Sequence, residues 1–199
     1  MAIGEGLAAA EFDAQIVRVA TSVEFLRAIN ERDHPHLRTR PLVVVGCSGG
    51  VPAALAFATR HLDRVAAVVL IGGGADLASV YLDTELTNPA SRVRWLPQDP
   101  PSEQRERLIR TWLEACTTDP FHTAAAIPAD RVLVIQADRD RIVPIATGDR
   151  LWERLGRPER WRFHGGHTLL FWRLDGYATD IASWIDAKVE AWSPPRGRR

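Results

Sequence analysis

PLVVVGCSGGVP, residues 41–52, joins a short apolar run to a glycine-rich turn and a proline. The run at 42–45 is β-branched and unbroken, the pattern of a strand buried on both faces of a parallel sheet. Pro52 suits the first turn of a following helix, where a missing N–H costs no hydrogen bond, and the Ala-rich segment 53–61 continues that helix. Strand, tight turn and helix therefore follow within about twenty residues. The turn spells G-x-S-x-G through Gly46, Ser48 and Gly50. In such a turn the serine sits on a strained backbone that projects its Oγ above the sheet, which makes Ser48 the leading nucleophile candidate. A glycine-rich turn at a helix N-terminus can equally cradle a phosphate, but the P-loop lysine and its G-x-x-x-x-G-K-[ST] spacing are missing.

Outward from this stretch the chain alternates strand and helix patterns, which predicts an α/β fold with a mostly parallel sheet flanked by helices. Upstream, residues 14–32 carry helical periodicity through Ile16, Val19, Ala20, Val23, Leu26 and Ala28. Downstream, strands are expected at 65–71 (VAAVVLI), 131–137 (RVLVIQA) and 160–163, and helices at 145–155 and 175–192. Residues 77–128 change character, with scattered prolines and a helix from Ser102 to Ala115. This stretch is expected to be a small helical cap inserted in one domain spanning 1–199. Its Trp95 and Trp112 are candidate substrate contacts, beside Tyr81, Leu96, Phe121 and His122; the alternative is that these aromatics only seal the cap onto the body. The tail at 193–199, SPPRGRR, is expected to be disordered.

Composition narrows the partners. With 25 basic and 25 acidic residues the formal net charge is zero, so no whole-chain field draws in nucleic acid or an anionic membrane. Cys47 and Cys116 are too few for a disulfide framework. His34 and His36 lie in a polar connection without further ligands nearby, so no metal site is expected. No apolar run approaches the roughly 18 residues of a membrane span, and the first fifteen residues lack the basic segment of a secretory signal. Those features make the cytoplasm the expected compartment.

Two further motifs follow later strands in the order Ser, Asp, His: ADRDRIVP at 137–144 and HGGH at 164–167. With the Gly-Cys-Ser-Gly-Gly turn they resemble the α/β-hydrolase family, whose G-x-x-D-x-x-V-P acid loop appears here with Ala137 in place of glycine. The resemblance covers about residues 42–192. It implies a catalytic triad of Ser48, Asp140 and His167, an oxyanion hole using the backbone N–H of Gly49, and no cofactor. Asp76, after the second strand, is an alternative acid on the family's pattern, whereas Asp138 and His164 fit it less well. The implied activity is cleavage of a carboxylic ester or related small acyl substrate through an acyl-enzyme, with acyl transfer or a non-catalytic binding module as alternatives. In the family the serine turn comes behind several strands and an H-G-G-type loop. Here 47 residues precede Ser48, and they hold one helix. The first strands are therefore expected to be lacking, which leaves an open sheet edge through which copies of the chain could associate.

Overall fold

The computed structural model describes residues 2–85 and 101–193, with side chains from Leu7 onward. Among these residues four strands, β1 (Leu42–Cys47), β2 (Val65–Ile71), β3 (Val132–Ala137) and β4 (Glu159–Phe163), form one sheet in the order β1-β2-β3-β4. Every neighbouring pair is parallel, so each connection must travel back along the sheet and brings helices onto its faces. A long helix, α1 (Ala2–Asp33), precedes β1, and α2 (Val51–Arg60) joins β1 to β2. Among the described residues between β2 and β3 are α3 (Leu77–Asp83), α4 (Ser102–Ala115) and α5 (Pro120–Thr123). The connection from β3 to β4 contains α6 (Ile145–Arg154), and α7 (His167–Trp172) and α8 (Ala178–Ala191) follow β4.

The period-2 pleat sends alternate residues of the central strands into two cores. On one face Val68, Leu70, Val132 and Val134 meet Leu55 of α2, Ile16 and Ala20 of α1, and Leu151 of α6. On the other, Val69, Ile71, Leu133 and Ile135 meet Leu170 of α7 and Ile181, Trp184 and Ile185 of α8. All of β2 and β3 is buried. At about 1.5–3 kcal/mol for each fully buried Val, Leu or Ile, these two strands anchor the sheet.

β1 departs from the expectation of burial on both faces. Val44 and Gly46 are buried, but Val43 is 38% and Val45 53% exposed. The reason is coverage: β1 is an edge strand, and α7 and α8 pack their apolar residues over the outer face of β2–β4. A β-branched apolar run reports strand propensity without reporting how many faces are covered.

Helix α1 also begins earlier than the apolar stripe at 14–32 predicts. Its extra turns include Ala8, Ala9, Ala10 and Glu11, all good helix formers. Ala9 and Phe12 pack against Leu77 and Ala78 of α3 and Trp112 of α4. The buried stripe therefore runs through Ala9, Ile16 and Ala20, while Val19, Val23 and Leu26 remain substantially exposed. In this way α1 spans from the sheet core to the helical insertion. Among the described residues no helix is long and apolar enough to cross a membrane.

Candidate active site

The sheet register explains why residues far apart in sequence meet at one edge. Cys47 pairs with Ile71, Ile71 with Ile135, and Ala137 with Phe163, so the C-terminal ends of all four strands lie together. Open α/β sheets bind ligands at this edge. Ser48 immediately follows β1, Asp140 lies three residues beyond β3, and His167 four beyond β4.

Ser48 has φ of +48°, a left-handed conformation that costs a non-glycine residue roughly 1–3 kcal/mol and must be held by its surroundings. A tight turn at Ser48–Gly50 leads directly into α2, with Pro52 in its first turn. Gly46 is what lets strand and helix close up: a Cβ there would stand 2.7 Å from Ala54 Cβ and 3.1 Å from Val51 Cα. Gly50 has no such constraint, since a Cβ on it would meet nothing within 4 Å.

A continuous hydrogen-bonded chain runs from the serine. His167 Nε2 lies 2.9 Å from Ser48 Oγ, and His167 Nδ1 lies 2.6 Å from Asp140 Oδ2. The other carboxylate oxygen, Oδ1, accepts the backbone N–H groups of Ile142 at 3.0 Å and Val143 at 2.8 Å. Because an ionised carboxylate only accepts, Nδ1 must be the donating nitrogen. Nε2 is then left to accept the Ser48 hydroxyl proton. Asp140 is buried. Its loop is tied to the C-terminal end of α3, where Thr84 Oγ1 donates to the Ile142 carbonyl at 2.7 Å and the Glu85 N–H to the Arg141 carbonyl at 2.8 Å. His167 opens α7 and packs edge-on against Phe171 at 5.0 Å. Gly72, at φ +61°, lies against both rings: a Cβ on it would stand 3.2 Å from His167 Cε1 and 3.3 Å from Phe171.

The remaining acidic and histidine candidates lie outside this chain. His164 Nδ1 pairs with Asp138 Oδ2 at 2.9 Å on the surface. The Gly165 N–H and then His164 hold the Asp138 carboxyl below its ordinary pKa. Asp76 is buried; it caps α3 through the Ser79 N–H and hydroxyl and pairs with Arg150. Its carboxylate is thus occupied away from His167. Gly49 lines the cleft beside Ser48. His34 and His36 are exposed, and the described residues contain no group of three His, Cys, Asp or Glu side chains able to hold a metal.

Above Ser48 lies a cleft of about 150 Å³. Its walls are Pro52, Leu77, Val80 and Tyr81, the acid-loop residues Ile142 and Val143, and Phe12 of α1. Trp112 is not among them. It is 2% exposed, its ring tilted behind Phe12 at 5.5 Å, with its indole N–H donating to Asp119 Oδ2 at 3.2 Å. A buried indole requires an acceptor for its N–H, and here that requirement turns Trp112 into packing of the insertion instead of a wall of the cleft. Phe121 lies 4.3 Å from the Arg154 guanidinium, and His122 bonds the Leu113 carbonyl. Trp95 and Leu96 lie outside the described residues.

Two residues that organise the site carry no motif. Phe12 falls before the expected start of α1, though its spacing of four from Ile16 continues the helical stripe backwards. Asp119, fully buried, receives the N–H groups of Asp76 at 3.0 Å, Leu77 at 2.8 Å and Phe121 at 2.8 Å, besides Trp112. Burial holds its carboxyl above the ordinary pKa, against the downward pull of the Phe121, Leu77 and Asp76 N–H groups. The neighbouring Cys116 thiol is pushed up to about 12 by burial and the nearby Asp119 and Asp13 charges. That leaves it an inert thiol.

No protein-family profile matches the chain. The uncharacterised protein YdjC of Bacillus subtilis is 33% identical over 82 residues, which are 41% of this chain and 68% of YdjC. Among solved structures, the acylaminoacyl peptidase of Pyrococcus horikoshii superposes with a TM-score of 0.59 at 14% identity. That match covers 87% of this chain but 28% of the peptidase. MGS-MChE2, an alpha/beta hydrolase enzyme from the metagenome of lagoon sediments at Mar Chica, Morocco, matches with a TM-score of 0.50 at 14% identity. Here 85% of this chain and 70% of the other are covered.

Proposed function

We propose that this chain, which carries the α/β-hydrolase fold of the solved structures it resembles and is related to Bacillus subtilis YdjC, is a serine hydrolase cleaving a carboxylic ester through an acyl-enzyme. The observation that carries the reading is the hydrogen-bonded run Ser48–His167–Asp140, closed at 2.9 and 2.6 Å beside an apolar cleft. A serine hydroxyl is a poor nucleophile at neutral pH, and a base within hydrogen-bond reach remedies that. His167 Nε2 takes the hydroxyl proton as Ser48 Oγ bonds the ester carbonyl carbon. The oxyanion that forms meets the Gly49 N–H, a donor of a kind worth about 10²–10³ in rate. As the tetrahedral intermediate collapses, the C–O bond to the alcohol breaks and the imidazolium gives that alcohol its proton. Water then repeats the sequence on the acyl-enzyme: His167 takes a proton from it, the carboxylic acid leaves, and Ser48 regains its hydrogen. Throughout, Asp140 holds the ring in one tautomer and stabilises its charged form.

The direct test is covalent labelling by a fluorophosphonate probe, read by intact-mass spectrometry. One adduct is expected on the folded protein, located by peptide mapping to Ser48. A folded protein that takes up no probe would refute the proposal.

Gly72 supplies a second check. Gly72→Ala puts a methyl group on a left-handed backbone against the His167 ring, and a displacement of about 1 Å at a reacting group can cost on the order of 10² in rate. Turnover of p-nitrophenyl butyrate is expected to fall by about that factor. The melting temperature should fall by about 2–12 °C, in keeping with a left-handed backbone penalty of about 1–3 kcal/mol for a non-glycine residue.

A further inference from the structure

The cleft above Ser48 has a size and a chemistry that narrow the substrate. Among the described residues, none of its lining side chains carries a charge. The wall from α1 is Phe12, whose ring is held at 6.0 Å in a T-shaped contact with Tyr81 and at 5.5 Å against Trp112. Trp112 is itself fixed by its bond to the buried Asp119. The acid-loop wall is equally constrained, since the Ile142 and Val143 N–H groups are spent on Asp140 and the Ile142 carbonyl on Thr84. A cleft with such walls opens for a larger guest only by breaking these contacts.

An apolar cavity of about 150 Å³ holds a molecule the size of benzene, and this cleft measures about 150 Å³. We propose that it is the acyl subsite, that it accepts a compact, uncharged apolar acyl group of about six carbons, and that Phe12 sets the upper size limit. The inference rests on the serine-hydrolase reading for the word acyl, but the fit of a small apolar group does not depend on turnover. Charged or bulky parts of a substrate belong on the alcohol side, outside this cleft.

The test is a series of p-nitrophenyl esters from acetate to decanoate. For the wild-type protein kcat/KM is expected to rise about three- to fivefold per methylene up to butyrate or hexanoate, as each CH₂ leaves water. It should then fall at least tenfold by decanoate. Phe12→Ala is expected to move the optimum up by two or more carbons, and Val80→Phe, which narrows the cleft from α3, to move it down towards acetate. An optimum at decanoate, a flat profile, or two folded variants with the wild-type optimum would overturn the proposal. A binding measurement separates it from the catalytic reading. In Ser48→Ala, which cannot be acylated, hexanamide should shift the methyl resonances of Leu77, Val80, Ile142 and Val143, and dodecanamide should not. Methyl shifts with no turnover by the wild type would sink the hydrolase reading and keep the subsite. Turnover with a flat profile and unmoved methyls would do the reverse.

Discussion

Ser48→Ala and His167→Ala are each expected to lower kcat for p-nitrophenyl butyrate by about 10⁶-fold, and Asp140→Asn by about 10⁴-fold. Nucleophile and base act as one unit, so removing either costs about as much as removing both. Asp140→Asn is the more informative variant, because the structure separates its two oxygens by task. Oδ1 accepts the Ile142 and Val143 N–H groups, and Oδ2 faces His167 Nδ1. An asparagine can keep its carbonyl on the two backbone donors and so preserve the loop. Its NH₂ group then faces Nδ1, which must become an acceptor, leaving the ring proton on Nε2 where it points at the Ser48 hydroxyl. The base is thereby disarmed without being moved, the situation in which a loss of about 10⁴ is expected. Circular dichroism and melting temperature should stay close to wild type while kcat falls and KM changes little. If Asp140→Asn kept a tenth or more of the activity, Asp140 could not be the group orienting His167.

The three residues that meet at the sheet edge were legible because each follows a strand end within four residues, and strand ends of a parallel sheet share an edge by construction. It is the resemblance to the family's acid and histidine loops that sets Asp140 apart from Asp138 and His167 from His164; the residues' own chemistry does not. In the structure the members of the second pair bond each other at the surface. Properties that belong to the assembled molecule were not legible. The run 42–45 looks the same whether a helix covers its second face or leaves Val43 and Val45 exposed. Whether Trp112 contacts substrate or seals the insertion is not legible, because an aromatic in an insertion carries no sign of whether its indole will find an acceptor. That acceptor, Asp119, lies seven residues away in the buried turn before α5. Nothing in the local sequence distinguishes it from a solvated loop carboxylate. The start of α1 is not legible for a simpler cause: Ala9 and Phe12 continue the stripe, but the uniform run Ala8-Ala9-Ala10 carries too little hydrophobic contrast to show a period.

Asp119→Ala is expected to be the most destabilising single substitution in the insertion, lowering stability by about 3–5 kcal/mol. Four donors converge on its carboxylate, and the residue is fully buried, so water cannot take the place of the missing oxygens. Each buried donor left unpaired costs on the order of 1–3 kcal/mol, with some relief as the backbone relaxes. Two of the donors, the Asp76 and Leu77 N–H groups, sit at the start of α3; a third, the Phe121 N–H, sits in the first turn of α5. Both helix starts therefore fray together in the variant. For a chain of this size each kcal/mol moves the midpoint by about 2–4 °C, so calorimetry should record a fall of about 6–20 °C. Asp119→Asn discriminates between hydrogen bonding and simple space filling. Its carbonyl can still serve one pair of donors, but its NH₂ meets the other pair donor to donor, so it should recover no more than about half of the loss. The same substitutions should reach the chemistry, because Trp112 braces Phe12 and α3 carries Leu77, Val80 and Tyr81. Below the melting transition the expected signature is a broadened ester chain-length preference at a largely retained kcat for the acetate ester. A loss of kcat for all esters alike would mean that Asp119 acts on the Ser48–His167 pair and not on the wall of the cleft.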